Sequence, residues 1–172
     1  VRDDVCDLGI AGLNIVEEKR LHFLEQDPVT PFQIIRSLDY GHCRLAFAYP
    51  DGSPLRNVRD LAGKKVATSY PSIVRDYLRR NQVDAGVVEF SGAVEIAPSL
   101  GRAEAICDLV STGSTLLANK LREGETILES HAVILQTPVA VPAEKIEWIN
   151  RLLQRVEGVM QVRESKYIMM HA

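Results

Sequence analysis

The chain has 172 residues, which is enough for one compact domain or for two small lobes that share a core. Of these residues 46% are hydrophobic and 25% are charged, so a collagen-like, low-complexity or disordered chain is excluded. The net charge of −3 leaves no basic excess that could hold nucleic acid non-specifically, so no nucleic-acid partner is expected.

The first predicted elements are a strand and a helix. Residues 5–10 form a short apolar run closed by Gly12, as expected for a buried parallel strand. Asn14 and Glu17 have the spacing of a helix cap and its capping-box partner, and apolar residues continue at helical spacing until Pro28. A strand followed by a helix is the first half of an α/β unit.

Strands and helices continue to alternate, which predicts an α/β fold with mostly parallel sheets. Pro71 suits the first position of a helix, and Asn81 is the predicted end of that helix. Residues 55–61 form a short helix or turn, and residues 93–105 divide into two short helical pieces. A further short helix is predicted to end at Gly124. The same patterns predict strands at residues 43–49, 65–69, 87–90, 105–110, 126–129 and 132–135.

The last predicted elements are a long helix at residues 143–160 and a strand at residues 166–170. The turn-rich segment 50–54 and the two close strands near His131 indicate that one lobe is inserted into another. The predicted division assigns residues 1–42 to lobe I, residues 43–133 to lobe II and residues 134–172 to the return into lobe I. A ligand cleft is then expected between the lobes, at the carboxyl ends of the strands.

The sequence contains no sign of a membrane segment or of a metal or disulfide staple. No apolar run approaches the roughly 18 residues of a membrane span and no basic-then-apolar leader is visible, so a cytoplasmic location without a membrane partner is expected. Cys6, Cys43 and Cys107 have no CxxC spacing and lie in or beside apolar segments, so we expect free thiols. The four histidines show no HxxxH pairing.

One polar segment, residues 108–115, stands out between a buried strand and a helix. Its loop carries four hydroxyls and a glycine, from Ser111, Thr112, Gly113, Ser114 and Thr115. Gly113 lets the backbone approach a ligand, while the loop amides and hydroxyls can together satisfy several phosphate oxygens. The carboxylate of Asp108 can accept from sugar hydroxyls or reach a magnesium ion. A helix start that uses Ser and Thr only as caps fits the same residues, and the lysine of a Walker loop is missing.

Other polar turns follow neighbouring strands. Glu95 lies just after a turn and could enter the cleft, although a solvated first-turn acid fits equally well. Thr68, Ser69 and Tyr70 form a polar strand-to-helix turn, and Gly12 closes another in which the backbone is exposed. Polar turns on successive strands are consistent with one shared cleft. The candidates for lining this cleft are therefore Gly12, Thr68, Ser69 and Tyr70.

Several runs resemble the ATP phosphoribosyltransferases, which catalyse the first step of histidine biosynthesis. These runs are DLGIAGLNIVEE (7–18), GKKVATSYP (63–71), SGAVEIAPSLGRAEAICDLVSTGSTL (91–116), LREGETILES (121–130) and ESKYIMMHA (164–172). The resemblance extends along the whole chain and is most specific at residues 95–115. It implies two α/β lobes with the architecture of type II periplasmic binding proteins, with the second lobe inserted into the first.

The resemblance also implies a reaction. Enzymes of this family join N1 of the adenine of ATP to C1 of phosphoribosyl pyrophosphate (PRPP), invert C1 and release pyrophosphate in the presence of Mg²⁺. The family's loop that matches residues 108–115 binds the ribose 5-phosphate part of PRPP, and the residues that match Glu95 and Asp108 lie at the same site. ATP supplies the attacking nitrogen, so no side-chain nucleophile is expected, and Mg²⁺ is expected to arrive with the substrate. Asn14 stands where many members have Asp.

The resemblance further implies assembly into homodimers or hexamers and, in long-form members, feedback inhibition by histidine at a regulatory domain. The closing segment favours a long-form parent of which this chain is a part, truncated at both ends. We therefore expect the PRPP half of the site to be more complete than the ATP half. The alternative function is a non-catalytic, two-lobed module that binds a small anion, because the same architecture serves solute capture.

Overall fold

Two β-sheets and four α-helices make up residues 6–24 and 32–164, the part of the chain that the computed structural model describes. The strands are β1 (Leu8–Gly12), β2 (Gln33–Ser37), β3 (Cys43–Pro50), β4 (Lys65–Thr68), β5 (Gly86–Glu89), β6 (Ala105–Val110), β7 (Leu121–Ser130) and β8 (Ala132–Gln136). The helices are α1 (Leu13–Leu24), α2 (Pro71–Arg80), α3 (Ser114–Ala118) and α4 (Ala143–Glu164), with 3-10 turns at Val58–Leu61 and Val94–Ile96. The predicted α/β class is confirmed.

The small sheet has the strand order β1–β8–β2, and both outer strands run antiparallel to β8. Because side chains alternate along a strand, Val133 and Leu135 pack towards α1, whereas Ala132 and Ile134 pack towards α4. The prediction that the first strand is buried and parallel is wrong. β1 is an outer strand of this sheet, it pairs antiparallel to β8, and its Ile10 side chain is 63% exposed.

The large sheet has the strand order β5–β4–β6–β3–β7. β5, β4 and β6 are parallel, whereas β3 runs antiparallel to both β6 and β7. Only two of the six strand pairings in the described residues are parallel, so the prediction of mostly parallel sheets is wrong. Strand β3, which lies between β6 and β7, is buried on both faces, and an apolar run of this kind looks the same in a parallel or an antiparallel neighbourhood.

Strand β3 separates the core of the large sheet into two layers. On one face, Leu45, Phe47 and Tyr49 pack with α2. On the other face, Ala46 and Ala48 pack with the 3-10 turn Val94–Ile96 and with α3. All five of these side chains are fully buried. The small alanine side chains allow the 3-10 turn and α3 to lie close to the sheet, and both flank the loop that follows β6.

Several local predictions are confirmed and others are not. Pro71 lies in the first turn of α2 and Asn81 ends that helix, as predicted. The predicted helix that ends at Gly124 is wrong, because α3 ends at Ala118 and Gly124 lies within β7. Strand β2 was not predicted, since most of its side chains are exposed and it has no apolar run.

The chain leaves the small sheet after β2 and returns to it at β8. The division into lobes at residues 42 and 133 stays a prediction. The predicted strand at residues 166–170 and the predicted helix end at Pro28 lie outside the described residues. Within residues 6–24 and 32–164, no helix combines the length and the apolar composition that crossing a membrane requires.

Gly124 allows β7 to pass close to the ring of Tyr49. A Cβ atom at Gly124 would overlap that ring, with the Tyr49 Cζ atom only 3.2 Å away. The ring has little freedom to move, because Tyr49 is fully buried and its hydroxyl donates to Glu125 Oε2 at 2.7 Å. The glycine therefore serves a close approach within the sheet and not a helix end.

We expect Gly124→Ala to lower the free energy of unfolding by about 1–3 kcal/mol, because the added methyl group overpacks against a fixed ring. Gly158→Ala is the matched control: it lies in α4, and a Cβ atom there would have no neighbour within 4 Å. This second change should raise stability by about 0.5–1 kcal/mol, since alanine favours the helix. Urea unfolding followed by circular dichroism measures both, and equal effects of the two substitutions would contradict the packing argument.

Candidate substrate-binding site

The carboxyl ends of the three parallel strands meet at one edge of the large sheet. Thr68 at the end of β4 is aligned with Glu89 of β5 and with Cys107 of β6. The turns that follow these strands are therefore neighbours, and Ser69 Oγ donates to the carbonyl of Phe90 at 2.7 Å across two of them. The tertiary structure thus brings together polar turns that are separated by about 20 and 40 residues along the chain.

A cavity of about 270 Å³ lies at the loop that follows β6. It is lined by Glu95, Asp108, Leu109, Val110, Ser111, Thr112, Gly113, Thr115 and Leu116. All of the residues predicted from sequence to bind PRPP line this cavity except Ser114. The Ser114 hydroxyl instead lies 3.0 Å from the Thr112 hydroxyl, within hydrogen-bonding distance.

The loop presents backbone donors that the protein itself does not use. Gly113 has φ of 81°, a left-handed conformation that glycine adopts without a steric penalty. Within the described residues, the amides of Thr112, Gly113 and Thr115 donate to no protein acceptor. The amide of Ser114 makes one long contact, 3.4 Å, to Thr112 Oγ1. These amides are available to an acceptor in the cavity, as the first amides of a helix commonly are.

Two carboxylates share the cavity with these donors. The pKa of Asp108 is raised, chiefly because the carboxyl is partly buried; a hydrogen bond from the Leu109 amide opposes this rise, and the charge of Glu95 adds to it. Among the described residues that line the cavity there is no lysine or arginine. Mg²⁺ is commonly bound by one or two carboxylates together with substrate phosphates, so Glu95 and Asp108 fit a magnesium ion that arrives with an anionic substrate.

An ion pair supports the loop from the neighbouring strands. Arg44 of β3 donates Nε and Nη2 to the two carboxylate oxygens of Glu123 in β7, at 2.5 and 2.7 Å. Its Nη1 donates to the carbonyl oxygen of Ser111 at 3.2 Å. The hydrogen bonds from Arg44 lower the pKa of Glu123. Sequence analysis missed both residues; the one available signal was an arginine within the apolar run of β3.

A second cavity, of about 390 Å³, lies between α1 and α2. It is lined by Ile15, Glu18, Lys19, His22, Ser69, Tyr70, Pro71, Ser72, Arg75 and Glu89. The carboxylate of Glu18 accepts from the amides of Ser72 and Ile73 at 2.9 and 3.0 Å, so α1 is fastened to the first turn of α2. Ser69 and Tyr70, two of the four predicted cleft residues, line this second cavity.

The other two predicted cleft residues line neither cavity. Thr68 is fully buried, and its hydroxyl accepts from the amide of Tyr70 at 2.9 Å, so it shapes the turn from inside. Gly12 ends β1, where a Cβ atom would meet Asn14 Oδ1. Gly12 thus gives space to the Asn14 side chain.

Asn14 is the centre of a buried network that joins the two sheets. The backbone N–H of Asn14 donates to Ser130 Oγ at 3.0 Å, and the Ser130 hydroxyl donates back to the side-chain oxygen Asn14 Oδ1 at 2.9 Å. Its Nδ2 donates to the hydroxyl of Tyr70 at 2.8 Å. The prediction that Asn14 caps α1 with Glu17 is therefore wrong, because Asn14 lies within the helix and its side chain bonds to partners beyond it. Glu17 instead pairs with Arg20 at 2.6 Å.

The two cavities are neighbours, because a residue that lines one is close enough to affect the pKa of a residue that lines the other. Burial is the main cause of the raised pKa of Tyr70, and the negative charge of Asp108 contributes to it. Tyr70 lines the larger cavity and Asp108 the smaller one. The structure thus holds two adjacent sites at the same edge of the large sheet, one rich in free amides and the other containing the basic side chains of Lys19 and Arg75.

Comparisons with known proteins agree with this arrangement. A family model described as HisG: ATP phosphoribosyltransferase matches residues 1–158. Among solved structures, the ATP phosphoribosyl transferase (HisG:HisZ) complex from Thermotoga maritima is similar, with a TM-score of 0.74 and 23% identity over 92% of this chain and 72% of that chain. The alkanesulfonate-binding protein SsuA from Xanthomonas axonopodis pv. citri has a TM-score of 0.61 and 20% identity over 92% of this chain and 55% of that chain. At these identities the two structures show the fold, and they confirm an architecture of the type II periplasmic-binding-protein kind.

We expect Asp108→Asn to raise the stability of the ligand-free protein at pH 7, by on the order of 1 kcal/mol. The folded-state pKa of Asp108 is raised above its ordinary value of 3.8, so its contribution to stability is complete below that value and is lost as the pH rises through the folded-state pKa. Asparagine stays neutral and should avoid this loss. Glu123→Gln is the control of opposite sign, because the pKa of Glu123 is lowered and its charge is stabilising.

Urea unfolding of the wild-type protein and of both variants at pH 4 and pH 7 measures these effects. The advantage of Asp108→Asn over the wild type should grow between the two pH values. An advantage that is the same at both would show that burial does not penalise the Asp108 charge.

Proposed function

The chain belongs to the HisG family of ATP phosphoribosyltransferases, which act in histidine biosynthesis, and we propose that the cavity at residues 108–115 is its PRPP site. In the proposed reaction, N1 of the adenine of ATP attacks C1 of PRPP, the configuration at C1 is inverted, and pyrophosphate leaves. The observation that carries the proposal is the set of loop amides that have no protein acceptor, in residues that line a cavity.

The loop is suited to the 5-phosphate of PRPP. Three amides, from Thr112, Gly113 and Thr115, have no protein acceptor within the described residues, and the hydroxyl-bearing Ser111 lines the same cavity. A phosphate group offers several acceptor oxygens at once, so it can take these donors together. Hydrogen bonds to a charged acceptor are roughly twice as strong as neutral ones, which favours phosphate over an uncharged ligand.

The two carboxylates are suited to the ribose and to the ion that accompanies pyrophosphate. Asp108 lies in the second half of β6 and lines the same cavity as the loop, where it can accept from ribose hydroxyls once the 5-phosphate is held. Glu95 lines the same cavity. With both acids present, Glu95 and Asp108 would hold Mg²⁺ jointly with the substrate, and the ion would neutralise charge on the departing pyrophosphate.

The protein's part in the reaction is chiefly to position two anionic substrates. Glycosyl transfer passes through an oxocarbenium-like state, and the attacking nitrogen belongs to ATP, so no side-chain nucleophile is required. The loop fixes the 5-phosphate and Asp108 fixes the ribose, so C1 is presented in one orientation. We assign the neighbouring cavity to ATP, because it contains Lys19 and Arg75 and adjoins Asp108 through Tyr70.

The family relationship supports four further parts of the proposal. We propose that the protein acts in the cytoplasm, that it uses Mg²⁺, that it assembles as homodimers or hexamers, and that the full-length enzyme is inhibited by histidine. The last three can be measured on the full-length enzyme, by magnesium dependence, by light scattering and by inhibition assays, and cell fractionation measures the first.

Calorimetric titration of the chain with PRPP and Mg²⁺, followed by addition of ATP and an assay for pyrophosphate, tests the proposal. PRPP binding followed by pyrophosphate release supports the transferase reaction. PRPP binding without release supports the site and a chain whose ATP half is incomplete. No PRPP binding by a chain that is folded by circular dichroism contradicts the proposed site.

We expect Gly113→Val to weaken PRPP binding by at least about tenfold, which corresponds to about 1.4 kcal/mol. Valine disfavours the left-handed backbone at this position, and its Cβ atom would lie 3.8 Å from Glu123 Oε2, so the added methyl groups would also press on the Arg44–Glu123 pair that supports the loop. Gly52→Val is the matched control, because Gly52 has nearly the same φ, 80° against 81°, and lies in a turn that does not line the loop cavity. Calorimetry should show PRPP affinity unchanged in Gly52→Val; an equal loss in both variants would attribute the effect to general strain.

A further inference from the structure

Arg44, a residue of β3, contacts the backbone of the loop that follows β6. In the antiparallel pairing of β3 with β6, Arg44 is aligned with Val110, the last residue of β6. Its guanidinium Nη1 reaches the carbonyl oxygen of Ser111, the first residue of the loop, at 3.2 Å. Arg44 does not line the loop cavity. Its contact with the loop is therefore made through the backbone and not through the space that a ligand would occupy.

Holding this carbonyl also fixes the direction of one loop amide. The Ser111 carbonyl and the Thr112 N–H belong to one planar peptide group, and the described residues contain no cis peptide bond. In a trans peptide the carbonyl and the N–H point in opposite directions. A carbonyl that accepts from Arg44 therefore turns the Thr112 amide away from Arg44, and this amide is one of those that the protein leaves unused.

Glu123 holds the guanidinium in place and balances its charge. Both carboxylate oxygens of Glu123 accept from Arg44, in the two-pronged geometry that arginine forms and lysine does not. The pair has no net charge, so Arg44 adds little attraction for a phosphate in the cavity. The effect of Arg44 on the loop is therefore the directed hydrogen bond to the Ser111 carbonyl, and not its positive charge.

We propose that Arg44 is a positioning residue that orients the phosphate-binding amides through the Ser111 carbonyl, with Glu123 as its anchor. The inference rests on the proposed function, because the consequence for PRPP assumes that the loop binds its 5-phosphate. Without Arg44, the Ser111–Thr112 peptide group can rotate, and a carbonyl oxygen turned towards the cavity would repel an anion.

Two variants and one control test this role. Arg44→Ala removes the side chain, and Arg44→Lys keeps the charge but loses the two-pronged contact. Arg36→Ala is the matched control, since Arg36 is also a strand arginine, with Nη1 2.8 Å from Glu157 Oε2, but it lies in β2 of the small sheet. For each protein, hydrogen exchange of residues 109–118 is measured without ligand, and affinities for PRPP with Mg²⁺ and for ATP are measured separately by calorimetry.

We expect both Arg44 variants to speed exchange in residues 109–118 and to weaken PRPP binding by about three- to tenfold, the range of one lost hydrogen bond. ATP affinity and the exchange of other segments should match those of the wild type, and Arg36→Ala should change neither the loop nor PRPP binding. Lysine should not restore PRPP affinity, because the proposed role depends on geometry.

Three results would overturn the proposal. Wild-type PRPP affinity in Arg44→Lys would show that charge alone matters, and wild-type exchange of the loop in Arg44→Ala would show that the tether does not order it. Equal losses of PRPP and ATP affinity would show that Arg44 is a general structural residue. A wild-type chain that binds ATP but not PRPP would instead contradict the proposed function, and the ligand-free exchange data would still decide whether Arg44 orders the loop.

Discussion

The parallel pairing of β4 with β5 and β6 is the constraint on which the proposed site depends. Parallel strands end at the same edge of a sheet, so the turns after them become neighbours whatever their separation in sequence. The alignment of Thr68 with Cys107 places the turn before α2 beside the loop before α3. The two cavities, one with unused amides and one with basic side chains, follow from this alignment.

Packing against the large sheet then fixes the position of the loop that follows β6. Buried alanines in β3 let the 3-10 turn that carries Glu95 and the short helix α3 lie close to the sheet. The same strand supplies the Arg44 contact to the loop backbone. One strand therefore contributes both the space that lets the turn with Glu95 lie near the loop and the arginine of the ion pair that supports the loop. The antiparallel direction of β3 matters here, because it places Arg44 beside the end of β6.

Asn14 and Asp108 show two different outcomes of withdrawing a polar group from solvent. Asn14 and Ser130 are 6% and 2% exposed, and their reciprocal hydrogen bonds satisfy groups that would otherwise be costly to bury. Asp108 is different, since burial raises its pKa and little in the free protein compensates the charge. The network thus stabilises the junction between the sheets, whereas the charge of Asp108 at the cavity lowers the stability of the folded protein.

The sequence by itself determined the α/β class, the helix that begins at Pro71, the polar, glycine-containing loop that follows β6 and, through its resemblance, the family. These depend on local spacing and on residue chemistry, both of which can be seen in the chain. Tertiary structure alone decided that β3 is antiparallel, that Gly124 serves a close approach to Tyr49, and that Asn14 bonds to Ser130 instead of capping α1. It also brought Arg44 and Glu123, 79 residues apart, together behind the loop. Pairing direction and long-range contacts leave no periodic trace in a sequence, because a strand buried on both faces has the same apolar pattern in either direction.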